Sequence, residues 1–351
     1  MFTLTTRVVR RRKRNRKKKI RLVVTFLFII AIFVGVGFYY ASQVYTASYQ
    51  DLERGEKSDL REEAVDIGKD PISILLLGVE DYSTNGGAGR ADTQIVMTLD
   101  PETKEMTMTS IPRDTRVELP EEKVGQYAGS HKINATYSLG ELSGYGAEKL
   151  AVETVEDYLG IPIDTYATVN FEGFIEIVDL LGGVTIDVEE GFWERSSIDY
   201  YKIIEFEEGP TKMTGEEALA FVRMRKREDV GISYPRDERQ RQFIKASIDQ
   251  AISAGTIFKV GQISDVVGQN ISTNLSPREI YAIQKAFSSD EADTKTINIE
   301  GNNERLEDGL FYFVPDEESL ENVKDELQDK LNYNDSGESA MKSSNADNPT
   351  S

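Results

Sequence analysis

Cysteine is absent from the 351 residues, and histidine and tryptophan occur once each, as His131 and Trp193. Without cysteine there is neither a disulfide framework nor a thiolate metal site. One histidine is too few for a His-based zinc centre, and any Ser-His-Asp relay would have to use His131. No Gly-x-x-x-x-Gly-Lys-Ser/Thr phosphate loop is present. Basic residues are scarce outside the N-terminus. The net charge is −20, yet 11 of the 41 Lys and Arg lie within the first 22 residues, which hold no acid. The acidic remainder lacks the basic footprint of a nucleic-acid binder. What remains for chemistry is carboxylates, arginines and a hard metal.

Long apolar runs are also missing, with one exception. Leu22 to Ala41 carries no charge and follows the basic block Arg7 to Arg21. About 20 residues at helical rise cross a bilayer core of about 30 Å. Signal-peptide cores run to about 7–15 residues, so the stretch is predicted to be an uncleaved transmembrane helix. Residues 1–21 are then a cytoplasmic segment and the bulk of the chain is extracytoplasmic. Tyr39 and Tyr40 close the run where an interfacial aromatic belt would sit. The charged residues 42–70 are expected to form a stalk, 71–331 the globular domain, and 332–351, rich in Asn, Ser and Asp, a disordered tail.

The domain opens with three short apolar runs, Ile72 to Val79, Thr93 to Leu99 and Met106 to Ile111, bounded by turn formers and predicted to be strands. Helical spacing follows over Gly146 to Leu159, with later helices expected over 171–181, 215–222, 236–252, 257–267, 277–287 and 316–331. Further strands are expected over 165–169, 184–188, 295–299 and 309–314. Residues 191–210 are aromatic and read as irregular. Strands alternating with helices point to an α/β domain with helices on both sheet faces.

Two stretches carry candidate chemistry. The glycine-rich loop after the first strand is flanked by Glu80, Asp81, Arg90 and Asp92; taken alone it also reads as a solvated turn. Farther on, Arg223 and Arg225 are two apart, which aims both the same way if the segment is extended. Arg236, Arg239 and Gln240 share one helical face at i, i+3 and i+4. Guanidinium groups are suited to bidentate capture of phosphate oxygens. Magnesium, or manganese in its place, takes one or two carboxylates and completes its shell with phosphate and water. Glu80 or Asp81, together with Asp92, supplies such carboxylates. Arg90, Arg113, Arg223, Arg225 and Arg236 are placed to neutralise phosphates. Asp92 and Asp114 are candidates for a base.

The segments Leu-Leu-Leu-Gly-Val-Glu-Asp (75–81), Gly-Arg-Ala-Asp-Thr (89–93), Ser-Ile-Pro-Arg-Asp-Thr (110–115), His-Lys-Ile-Asn-Ala (131–135), Asp-Leu-Leu-Gly-Gly-Val (179–184), Gly-Glu-Glu-Ala-Leu-Ala-Phe-Val-Arg-Met-Arg (215–225) and Arg-Asp-Glu-Arg-Gln-Arg-Gln (236–242) resemble the LytR-CpsA-Psr family, in that family's order. The resemblance implies an αβα sandwich around a central mixed sheet, with an apolar tunnel for lipid. It also implies a membrane-anchored, magnesium-binding phosphotransferase of Gram-positive walls. Such an enzyme moves a wall teichoic acid or capsule-like polysaccharide from a polyprenyl-pyrophosphate carrier to peptidoglycan. By the same resemblance Asp92 and Glu80, where the family usually has Asp, face the metal. Arg90, Arg113, Lys132, Arg223, Arg225, Arg236 and Gln240 face the pyrophosphate. Two rivals are a membrane-bound transcriptional attenuator acting through the basic N-terminus and a non-catalytic glycopolymer-binding module.

Overall fold

The computed structural model describes residues 49–55, 57–80, 89–199, 201–224, 236–253, 270–287 and 293–333. The basic segment 1–21, the expected span 22–41, Asp81, Arg225, the expected helix 257–267 and the tail beyond 333 lie outside the described residues. Among the described residues no helix is long and apolar enough to cross a membrane.

The strands, in order, are β1 (Ile72–Glu80), β2 (Arg90–Asp100), β3 (Glu105–Ser110), β4 (Arg116–Leu119), β5 (Gly129–Lys132), β6 (Thr165–Asn170), β7 (Val184–Val188), β8 (Phe192–Arg195), β9 (Ile203–Phe206), β10 (Gly209–Met213), β11 (Ile271–Thr273), β12 (Asp293–Ile297), β13 (Gly301–Arg305) and β14 (Phe311–Pro315). Among the described residues the helices of eight residues or more are α1 (Thr136–Ser143), α2 (Ala147–Leu159), α3 (Phe171–Leu180), α4 (Gly215–Arg223), α5 (Arg236–Ser253), α6 (Pro277–Ala286) and α7 (Glu317–Lys330). Six strands form the central sheet in the order β11-β6-β1-β2-β3-β12. It is mixed: β1 runs antiparallel to β2 and parallel to β6, and β3 runs antiparallel to β2 and parallel to β12.

The apolar runs behave as two-sided strands because both sheet faces are covered. Leu75, Leu77 and Val79 of β1 enter one cluster with Leu150, Val155 and Leu159 of α2 and Val323 and Leu327 of α7. Ile72 and Ile74 point the other way, with Ile95, Met97 and Leu99 of β2, toward Phe287 and Ile283 at the end of α6. Each such buried side chain contributes about 1.5–3 kcal/mol relative to exposure. The helices on both faces match the sandwich expected from the sequence. A separate apolar cluster lies under β7 to β9 and joins Val178 of α3, Phe221 of α4 and Phe243 of α5.

Local signals set the helix ends. Asn170 caps α3 by accepting from the Gly173 N–H at 3.0 Å. Thr214 and Glu217 form a capping box on α4, as do Ser276 and Glu279 on α6, where Pro277 occupies the first turn. Asp316 caps α7.

Several expectations are corrected. Residues 49–70 are not a free stalk. Leu52 is buried in the main cluster, Arg54 pairs with Glu156 at 2.7 Å, and Arg61 pairs with Asp164 at 2.8 Å. The charges that suggested solvation are thus partners of the domain. The supposedly irregular 191–210 forms the β8–β9 ribbon, with Phe192 stacked on Phe206 at 4.5 Å between ring centres. The Gly-containing stretch after Tyr137, which reads as a loop in the sequence, belongs to α1, and the exposed polar stretch Gly301–Arg305 is a strand because β14 pairs with it.

Candidate active site

The sheet topology gathers three separated segments at one end of its central strands. β1 ends at Glu80, β2 returns from Arg90 opposite it, and β3 ends at Ser110 opposite Ile95. Pro112 to Asp114 therefore emerge beside Asp92. The register contains one irregularity: Gly78 pairs with Thr93 and Val79 with Ala91, which leaves Asp92 as the extra residue of a bulge. Bulges re-aim side chains, and they recur beside active sites.

Asp92 is 13 % exposed and fully engaged. Arg113 Nη1 donates to its Oδ2 at 2.8 Å, and Asn134 Nδ2 donates to its Oδ1 at 2.9 Å. Burial pushes the carboxyl up, but the Asn134 hydrogen bond and the charges of Arg113 and Arg236 outweigh it, so Asp92 is held below the usual carboxylate value. Arg113 also reaches Asp114 through Nε at 3.4 Å, and Lys132 Nζ donates to Asp114 Oδ1 at 2.7 Å. The result is an alternation of anions and cations across the mouth of β2 and β3. Arginine has five donors, so Arg113, held by Asp92 and Asp114, keeps N–H groups for another anion.

The second arm comes from the helices. Gly215 lets α4 approach α3 closely: a Cβ there would lie 2.3 Å from the Ile175 carbonyl oxygen. That approach brings Arg223, at the end of α4, over the Phe171 ring at 4.4 Å. Its Nη1 donates to Ser197 Oγ at 2.6 Å, and its Nη2 lies 3.6 Å from Glu80 Oε1. Arg223 is thus the last helical residue; its relation to Arg225 lies outside the described residues.

On α5 the expected shared face splits. Arg236 and Gln240 line a cleft of about 680 Å³ together with Asp92, Arg113 and Asp114. Gln240 Nε2 donates to Thr93 Oγ1 at 3.0 Å and ties α5 to β2. Arg239 does not join them. It is 1 % exposed, donates to the Met224 carbonyl at the end of α4, and stacks 5.7 Å from the Phe192 ring centre. Its position three residues on from Arg236 turns it into the second apolar cluster, where it serves as a helix C-terminal partner. Arg90 is exposed at the start of β2, opposite Glu80.

Arg241 and Asn134 are among the residues at the site that were not sequence candidates. Arg241 lines the cleft, donates to Ser110 Oγ at 3.1 Å and pairs with Glu238. Asn134 orients Asp92 and is 4 % exposed. Because its amide must donate to the carboxylate, its Oδ1 points elsewhere, and that atom is buried without a hydrogen-bond partner. Its place beside Lys132 in the His-Lys-Ile-Asn-Ala segment was the available signal.

Among the described residues no three His, Cys, Asp or Glu side chains cluster closely enough to hold a metal on their own. The donor chemistry at the bulge still fits a hard cation shared with phosphate. Asp92 is kept ionised, and the unpartnered Asn134 Oδ1 is a second hard oxygen nearby. Magnesium sites of this kind commonly use few protein ligands.

The model of the LytR_cpsA_psr family matches residues 36–329. The polyisoprenyl-teichoic acid–peptidoglycan teichoic acid transferase TagV of Bacillus subtilis is 42 % identical over 315 residues, covering 88 % of this chain and 78 % of the relative. The crystal structure of B. subtilis TagV superposes with a TM-score of 0.63, covering 76 % of this chain and 99 % of that one. TagT (YwtF), solved with bound octaprenyl pyrophosphate lipid, superposes with a TM-score of 0.61 at 28 % identity, covering 81 % of this chain and 99 % of TagT. The family match spans the sheet, both helical layers and every described residue of the cleft, and on that extent the chain belongs to the LytR-CpsA-Psr family.

Proposed function

We propose that this protein transfers an anionic glycopolymer of the teichoic acid class from a polyprenyl-pyrophosphate carrier to peptidoglycan. The observation that carries the reading is the convergence of Asp92, Arg113, Arg236 and Gln240 on one cleft. The names of the relatives and the lipid bound to TagT supply the substrate class.

In the reaction, an acceptor sugar hydroxyl attacks the phosphorus that carries the glycopolymer. A new oxygen–phosphorus bond forms as the bridging bond to the carrier breaks, and polyprenyl phosphate leaves with the electron pair. Arg113 and Arg236 stabilise charge on the phosphate oxygens, usually the largest catalytic contribution in such transfers. Asp92, held anionic by Asn134 and Arg113, orients Arg113 and is a poor proton acceptor. Asp114, 29 % exposed in the same cleft, takes the hydroxyl proton. Lys132 holds Asp114 in place.

Magnesium, or manganese, would be held by Asp92, with Asn134 beside it and Glu80 or Asp81 completing the protein share. When bound it supplies further positive charge to the pyrophosphate. The run 22–41 anchors the chain in the membrane, with the domain outside the cytoplasm and within reach of a lipid-borne substrate.

The test is transfer by the purified full chain from a polyprenyl-pyrophosphate-linked glycopolymer to peptidoglycan, with and without chelator. Asp92→Ala is expected to abolish it in a folded protein. Full transfer by Asp92→Ala would overturn the assignment of the cleft; full transfer in chelator would leave an arginine-only site.

A further inference from the structure

The cleft has two chemically different walls. One carries three guanidinium groups, Arg113, Arg236 and Arg241, set among the carboxylates Asp92, Asp114 and Glu238. The other is built by Asn298, Glu300, Gly301, Asn303 and Phe313. Asn298, Glu300 and Asn303 are exposed, and Phe313 is half-buried. Among the described residues this second wall contributes two carboxamides, one carboxylate and an aromatic ring, and no cation.

The wall is held firmly. Asn303 and Phe313 are directly paired across β13 and β14, so their side chains project from the same face of the ribbon. The Phe313 ring lies over Gly301, where an added Cβ would come within 2.6 Å of its Cζ. Phe313 N–H donates to the Asp114 carbonyl at 2.9 Å, and Thr115 bridges to Phe313. Glu300 is fixed from both sides: its N–H donates to Ser319 Oγ at 3.0 Å, and its carbonyl accepts from Asp316 N–H at 2.9 Å. The ribbon is therefore registered against the segment that carries Arg113 and Asp114.

We propose that this wall is the acceptor subsite: it binds a neutral, hydroxyl-bearing glycan and presents one hydroxyl to the arginine-lined end of the cleft. Carboxamides and a carboxylate match the donors and acceptors of sugar hydroxyl and acetamido groups. An aromatic face takes the apolar face of a pyranose ring. A polyanionic polymer is disfavoured here by Glu300 and by the lack of a cation among the wall's described residues, whereas Arg113, Arg236 and Arg241 stand on the other side, so donor and acceptor are sorted electrostatically. A volume of about 680 Å³ lies within the range of about 300–1,000 Å³ of small-molecule sites. The identity of the glycan as peptidoglycan rests on the function proposed above; the subsite itself rests on the wall.

The experiment uses the full chain and a soluble, peptide-free peptidoglycan oligosaccharide as probe. Direct binding is measured by calorimetry, and KM for the same probe is measured in the transfer assay. Asn303→Ala and Asn298→Ala each remove a neutral hydrogen bond and are expected to weaken probe binding and raise its KM by about 2- to 12-fold. Their affinity for polyprenyl-pyrophosphate lipid is expected to stay unchanged. Phe313→Leu, which keeps an apolar side chain under the ribbon, is expected to weaken the probe further, with thermal unfolding monitored to confirm folding. Probe binding unchanged in folded Asn303→Ala and Asn298→Ala, or a parent protein that does not bind the probe, would overturn the proposal. So would an equal loss of lipid affinity, which would assign the wall to the donor. Probe binding that depends on this wall in a protein that transfers nothing would uphold the subsite and refute the proposed reaction instead.

Discussion

Arg54→Met tests whether residues 49–61 belong to the folded domain. The Arg54 and Glu156 side chains are each 6 % exposed and 2.7 Å apart, and Arg54 also donates to the Ile163 carbonyl. Glu156 accepts in addition from Ser58 Oγ at 2.6 Å and from Ile163 N–H at 2.8 Å. Methionine keeps the volume but removes the charge and its donors. Breaking a buried pair from one side costs about 3–5 kcal/mol, because the remaining charge is stranded. At roughly 2–4 °C per kcal/mol for a domain of this size class, the melting temperature falls by roughly 6–20 °C. Circular dichroism of the purified protein measures it.

The loss depends on pH in a defined direction. Burial pushes the Glu156 carboxyl up, against the opposing Arg54 charge and the Ser58 and Ile163 hydrogen bonds. A group raised in the folded state contributes stability that is present below its unfolded value and lost as pH rises through the folded one. Without Arg54 the value rises further. The deficit of Arg54→Met is therefore largest at neutral and alkaline pH and shrinks in acid, where the carboxyl is neutral. Glu156→Gln added to Arg54→Met restores most of the stability, since glutamine oxygen still accepts from Ser58 and Ile163. A variant melting within about 1 °C of the parent at neutral pH, with no effect of the second substitution, would refute the reasoning and return 49–61 to a stalk.

Asn134→Ala removes the hydrogen bond that helps hold Asp92 low. Asp92 contributes stability above its unfolded value that is lost as pH falls through the folded one, so in this variant the acid-side loss begins at higher pH. Thermal unfolding across an acid titration reads the shift, and an unmoved acid limb would refute it. Arg223→Ala and Arg236→Ala are expected to weaken pyrophosphate-lipid binding roughly 10- to 150-fold, the loss of one charge-assisted hydrogen bond, with little change in melting. Arg239→Ala is expected to behave oppositely, lowering stability by about 3–5 kcal/mol because it strips a buried side chain from the Met224 carbonyl and the Phe192 ring. Equal lipid binding and equal melting for Arg236→Ala and Arg239→Ala would show that the two faces of α5 were misassigned.

The sequence by itself determined what local pattern can encode. The apolar runs of β1, β2 and β3 declare two-sided strands, and Asn170, Ser276 and Asp316 mark helix starts, because these signals act over a few residues. The family motifs brought Asp92, Arg113, Arg236 and Gln240 into one list. Only the tertiary structure decided how they meet. The bulge at Asp92 is a fact of register between two strands. Arg223 closes a helix whose approach depends on Gly215 against α3. Arg236 and Arg239 differ by three positions and are identical in type, yet one lines the cleft and the other is buried, because the faces available to α5 are set by β2 on one side and Phe192 on the other. Arg54, Arg61 and the polar ribbon Gly301–Arg305 carry no local apolar signal at all. Their positions follow from partners about 100 residues away or from a pairing strand, Glu156, Asp164 and β14, and long-range pairing of that kind leaves no period in the chain to read.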